Sequence, residues 1–119
     1  MKEGAESIGR IMGLTPGDAY AWLVDHYGPV IADEVIGIGR IWERPGLTRR
    51  ERSFVVIAAL ATLGTKDRLR LHINGALNHG ATQVEIEEVL LTLMVYAGHA
   101  RATEAVEVAR EVFVENHGE

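Results

Sequence analysis

The stretch Thr48-Arg49-Arg50-Glu51-Arg52-Ser53-Phe54-Val55-Val56-Ile57-Ala58-Ala59-Leu60-Ala61-Thr62-Leu63-Gly64 decides the fold. Thr48 and Glu51 have capping-box spacing, in which a threonine hydroxyl and a glutamate carboxylate satisfy the free N–H groups of a helix start. Gly64 supplies the residue that most readily ends a helix. Between these signals, residues 54–61 are apolar on every side. A helix of that kind has to be covered all round.

The same punctuation recurs on both sides. Thr82-Gln83-Val84-Glu85 is a second capping box, opening a helix that closes at Gly98. Thr65 can cap the helix between them, which ends at Gly80. Upstream, Thr15-Pro16 reads as an N-cap and an N1 proline, opening a helix that ends near Tyr27-Gly28-Pro29. A further helix covers about 30–42 and is stopped by Arg44-Pro45-Gly46. The last covers about 101–114, with Ala102, Ala105, Val106, Ala109, Val112 and Phe113 on one face and Glu104, Glu107 and Glu111 opposite. The reading is all-α, about six helices, without internal repeats, in one domain over residues 1–119. Residues 89–97 are nearly as apolar as residues 54–61. A small domain has little interior in which to surround two such helices, so the pattern favours a homo-oligomer over a bundle with both at its centre.

Composition narrows the function. The chain has 119 residues, 47% of them hydrophobic but only 6% aromatic, so its core is aliphatic. A net charge of −5 argues against a nucleic-acid partner. No stretch reads as a membrane span or a signal-peptide core, and the expected localisation is cytoplasmic. There is no cysteine, which excludes thiol nucleophiles and disulfides. The histidines show no His-x-x-x-His pair, and no metal site is expected. Gly37-x-Gly39 lacks the context of a phosphate loop and reads as a close helix contact.

The chemistry-bearing residues lie between residues 42 and 99. His72 falls on the margin of the stripe formed by Leu69, Ile73, Ala76 and Leu77, with Arg68 one turn before it, His79 two turns after it, and Gly75 leaving space on that flank. A half-buried histidine beside open volume can act as a proton donor. Spacing alone leans toward a core-edge histidine bonded to a backbone carbonyl. Arg44, Arg49, Arg50 and Arg52 concentrate cations in an acidic chain, and a guanidinium anchors a carboxylate well. Some of them have to be solvated or salt-bridged. Glu51 is explained by its cap, with orientation of His72 as the alternative. Trp42 can wall a pocket and Tyr96 can offer a hydroxyl, although aromatics on small helical domains are more often core.

Several of these residues also carry a family resemblance. Ile41-Trp42-Glu43-Arg44-Pro45-Gly46-Leu47, Arg52-Ser53, Leu71-His72, Ala76-Leu77-Asn78, Gly80, Glu85-Ile86 and Tyr96-Ala97-Gly98 resemble the carboxymuconolactone decarboxylase family, from roughly Ile8 to Phe113 and most densely from Ile41 to Gly98. The resemblance implies an all-α, AhpD-like subunit that assembles as a trimer or hexamer. It also implies a cofactor-free decarboxylase of a small carboxylated lactone in aromatic catabolism. In the peroxidase-like branch two cysteines precede the histidine; those positions are Thr65 and Arg68 here, so thiol peroxidase activity is excluded.

The resemblance makes His72 the first catalytic candidate and raises Tyr96 beside it; Glu51 is a further catalytic candidate on its own alternative reading as a residue orienting His72. Arg44 and Arg52 would hold a substrate carboxylate, while Trp42 and His99 would border the pocket. Arg49 and Arg50 read as surface residues. Where the decarboxylases have a small residue and then proline after Tyr96-Ala97-Gly98, this chain has His99-Ala100. A non-catalytic helical oligomer that binds a small organic acid is the alternative. The two differ in whether His72, Arg52 and Tyr96 converge on one pocket.

Overall fold

The computed structural model describes residues 4–117. Six α-helices follow one another: α1 (Gly4–Met12), α2 (Pro16–Ile38), α3 (Arg49–Leu63), α4 (Lys66–Asn78), α5 (Gln83–Tyr96) and α6 (His99–His117), with a 3₁₀ turn (Gly39–Glu43) between α2 and α3. The all-α reading holds.

Both capping boxes form. Thr48 accepts from the Glu51 N–H at 3.1 Å while the Glu51 carboxylate accepts from the Thr48 N–H at 2.8 Å. Thr82 and Glu85 repeat the arrangement at 3.1 and 3.0 Å. Gly64 ends α3 in the left-handed region, at φ 76°. Thr65 does not cap α4 as expected: its hydroxyl donates back to the Leu60 carbonyl at 3.4 Å, closing α3 instead.

Two features of the amino-terminal half differ from the sequence reading. Residues 4–12 form a helix the reading did not assign, with Ala5 and Ile11 buried and Glu6 paired to Arg10 at 2.9 Å on the outer side. Also, the break expected at Gly28 is a single residue. Gly28 has φ 81° and ψ 165°, Pro29 resumes the helix, and the two segments run on as one kinked α2. That backbone conformation is essentially confined to glycine. Trp42 falls in the 3₁₀ turn rather than at a helix end.

Two buried clusters stabilise the chain. Ile57, Leu69, Ile73, Ile86, Leu90 and Val112 join α3, α4, α5 and α6, while Ala5, Leu23, Ala32 and Ile36 join α1 to α2. The helix α1 packs on both α2 and α4 and so connects the two clusters. Gly75 makes this possible. It does not supply the open space that the sequence reading expected of it, because Ile11 fills its flank: a Cβ there would lie 3.0 Å from Ile11 Cγ2 and 3.1 Å from the Ile11 carbonyl oxygen. Gly39 does allow a close approach, against Gly4 of α1, whereas Gly37 faces nothing within 4 Å.

Apolar side chains also remain outside. Leu63 is 67% exposed, Val95 78% and Tyr96 82%, and Val55, Val84 and Leu91 are exposed with them on α3 and α5. Among the described residues, no helix is long and apolar enough to cross a membrane.

Candidate active site

His72 lies where α4 faces α1 and both halves of the kinked α2. It lines a recess of about 100 Å³ together with Ile8, Ile11, Met12, Trp22, Leu23, Val35, Leu71 and Arg68. Burial in this apolar setting pushes its pKa down from 6.5 to about 4, with the nearby charges of Arg68 and His79 acting in the same direction. In the free protein near neutral pH the imidazole is therefore uncharged.

A second polar group lies at the other end of α4. His79 Nδ1 is 2.9 Å from Ser53 Oγ, and its ring sits 5.3 Å from that of Trp42. Burial lowers its pKa, followed by the charges of Arg49 and Arg10. Arg49 donates to Ser7 at 3.3 Å, and Ser7 donates to Glu43 at 3.1 Å, so this group extends onto α1 and the 3₁₀ turn. Nothing in the spacing of the sequence singled out Ser53 or Ser7.

The arginines expected near His72 are placed elsewhere. Arg52 donates to the Arg44 carbonyl at 3.1 Å, pinning the loop before α3. It lines an apolar cleft of about 170 Å³ with Trp42, Ile41, Leu47, Val55 and Val56. Arg44 is exposed and lines an open groove of about 610 Å³ that includes Trp42, Glu43 and Arg49. Arg50 is half-buried rather than on the surface: it pairs with Glu85 and lies over the Phe54 ring, tying α3 to the start of α5. That pairing, with the cap N–H of Thr82, holds the Glu85 carboxyl down at about 2.

Glu51 is engaged in its cap and exposed, and the hydrogen bonds from Thr48 keep its carboxyl ionised below the usual range. Tyr96 and His99 are exposed at the junction of α5 and α6. Within one chain, then, the expected convergence of His72, Arg52 and Tyr96 on one pocket does not occur: Trp42 and Arg52 share a cleft, His72 lines a separate recess and Tyr96 is exposed. The cation brought to His72 is Arg68, which the sequence had noted only as its neighbour one turn away.

A match to the Carboxymuconolactone decarboxylase family covers residues 37–111, more than half of the chain. The chain belongs to that family. It is 44% identical over 75 residues to a 4-carboxymuconolactone decarboxylase of Acinetobacter baylyi, an alignment covering 63% of this chain and 56% of that protein. It is 37% identical over 73 residues to a nitrosuccinic acid decarboxylase of Metarhizium robertsii, covering 61% and 51%. An uncharacterized 15.0 kDa protein of Paracoccus denitrificans is 30% identical over 83 residues, covering 68% and 62%. The chain thus spans a little over half the length of these curated relatives.

Proposed function

We propose that this protein is a decarboxylase of a small carboxylated molecule, with His72 as the proton donor. The observation that carries the reading is a half-buried imidazole in an apolar recess with an arginine one turn away. Two relatives named as decarboxylases support it. In the substrates of both names, a carboxylate sits near a group that can accept electrons, a lactone carbonyl in one case and a nitro group in the other.

The chemistry needs three contributions. Loss of CO₂ leaves an electron pair that moves onto the acceptor oxygen, where positive charge and N–H donors stabilise it. The remaining carboxylate has to be held so that the reacting carbon is correctly placed. A proton must then reach that carbon. An incoming anion opposes both the desolvation of His72 and the repulsion from Arg68, so it raises the imidazole pKa. His72 then becomes charged when substrate is bound, which is when its proton is required. The apolar lining weakens hydration of the departing carboxylate.

We also propose a homo-oligomer. The exposed apolar side chains of α3 and α5 are more than a solitary small chain ordinarily presents to water. In such an assembly Tyr96 and His99 would meet a neighbouring copy. Any contribution from them to catalysis would pass through that contact.

The test is a spectrophotometric assay of the purified protein with 4-carboxymuconolactone and, in parallel, with nitrosuccinic acid, each run beside His72→Ala. Turnover abolished by the substitution, with helical content intact, is expected. Unchanged turnover in the variant removes His72 from the reaction. No turnover of either substrate by the wild type favours the non-catalytic small-acid binder.

A further inference from the structure

We propose that Arg68 is the carboxylate anchor of the His72 recess and that Tyr27, at the break in α2, is the positioning residue that holds it. This rests on the reading of the recess as the place where a small acid reacts.

The first observation concerns how the cations of α4 are paired. Arg70 donates to Glu111 at 2.8 Å and to Glu115 at 3.1 Å, so the arginine facing α6 is neutralised. Lys66 pairs with Glu104 at 3.3 Å. Arg68 lines the recess beside His72, and among the described residues no carboxylate lies within 4 Å of its guanidinium nitrogens. Arg68 is itself exposed, so its guanidinium stands at the mouth of the apolar recess with no carboxylate beside it, where it can meet an incoming anion.

The second observation is how the guanidinium is oriented. Arg68 Nη2 donates to the Tyr27 hydroxyl, and its guanidinium carbon lies 5.5 Å from the centre of the Tyr27 ring. The Tyr27 ring in turn meets Trp22 edge-on at 5.9 Å, and Trp22 stacks on His26 at 3.7 Å. Trp22 is itself part of the recess wall. Although exposed, a planar guanidinium held by a ring and a hydroxyl loses less freedom on gripping a planar carboxylate than an unrestrained one does. Tyr27 immediately precedes Gly28, so the kink in α2 begins where this aromatic group ends.

The geometry also sets the class of ligand. A recess of about 100 Å³ with one arginine and an otherwise largely apolar lining fits a carboxylate and a few carbons. A larger acid would insert one end and leave the rest at the mouth. The carbon next to the anchored end is then brought toward His72.

The experiment uses succinate, an unreactive dicarboxylate, and follows the ring resonances of His72 by NMR. In the wild type, succinate should shift them saturably and raise the His72 pKa. Arg68→Met should weaken succinate binding by at least about tenfold, the scale of a lost charge-assisted pair, and raise the pKa of the unliganded His72. Arg68→Lys should restore part of both effects; Arg68→Gln serves as a second neutral variant if the methionine variant does not fold. Tyr27→Phe should reduce the succinate-induced rise without moving the thermal midpoint. Wild-type resonances that ignore succinate, or equal binding by Arg68→Met, would overturn the anchor. Binding of succinate does not depend on turnover. A protein that binds it through Arg68 but decarboxylates nothing keeps the anchor and loses the decarboxylase, and the converse result does the opposite.

Discussion

Ser53 Oγ and His79 Nδ1 lie 2.9 Å apart, joining the first turns of α3 to the end of α4. Ser53 is only 2% exposed, and among the described residues His79 Nε2 is buried without a hydrogen-bond partner. Removing the hydroxyl would leave a second imidazole nitrogen buried without a partner. Ser53→Ala is therefore expected to destabilise the protein by about 1–3 kcal/mol, the cost of an unsatisfied buried polar group. Urea unfolding at pH 7 measures this; a change within about 0.5 kcal/mol, typical of a neutral surface site, would show that the bond contributes nothing.

His72 should make the fold acid-sensitive. Its pKa is about 4 in the folded protein and about 6.5 when unfolded, so between these values the unfolded chain binds more protons. Stability is fully present above pH 6.5 and is lost as pH falls toward 4, by up to about 3 kcal/mol. His79, whose pKa is also lowered, adds in the same direction. Unfolding free energies measured at pH 7, 5.5 and 4.5 should fall less steeply for His72→Gln than for the wild type. Parallel slopes would mean that His72 titrates normally.

The close approach of α1 to α4 depends on Gly75. A Cβ at that position meets both the side chain and the backbone of Ile11, and the backbone cannot move without shifting α1. Gly75→Ala should cost about 1–3 kcal/mol by overpacking. Because Ile8, Ile11 and Met12 also line the His72 recess, the variant should change the His72 environment as well as the unfolding midpoint. A stabilised variant, as helix propensity alone would give, would mean that α1 yields without strain.

The oligomer can be tested through α5. Val95, at 78% exposure, belongs to the apolar surface that a neighbouring copy would cover. Light scattering should give the wild type a mass that is a multiple of 13.0 kDa. Val95→Asp should reduce that mass while leaving helical circular dichroism unchanged, since burying an unpaired carboxylate in a contact is unfavourable. A wild type that runs as a single chain would rule out the assembly.

If His72 delivers its proton as the imidazolium, turnover should decline as pH rises through the substrate-raised pKa of that group. The profile of kcat against pH reads this directly. A flat profile through that range would indicate a different proton source.

The sequence by itself determined the helical class, the capping boxes at Thr48 and Thr82, the stop at Gly64 and the family. The helices and their caps depend on residues within a few positions of one another, where local hydrogen bonds and helix periodicity act; the family was legible from short motifs spread between Ile41 and Gly98. It did not assign α1, whose short helix is stabilised by packing against α2 and α4. Nor did it distinguish the arginines. Arg50 and Glu85 are far apart in sequence, as are Arg68 and Tyr27, and periodicity names the face a side chain occupies without naming what faces it. Helix spacing already put Arg68 one turn from His72; only tertiary packing decided that Arg44 and Arg52 lie elsewhere and that Tyr27 of α2 meets the Arg68 guanidinium. The physical reason is that a guanidinium's role is fixed by the charges and aromatic rings around it, and among the described residues helix packing gives Arg50 both Glu85 and Phe54 but gives Arg68 only the Tyr27 ring.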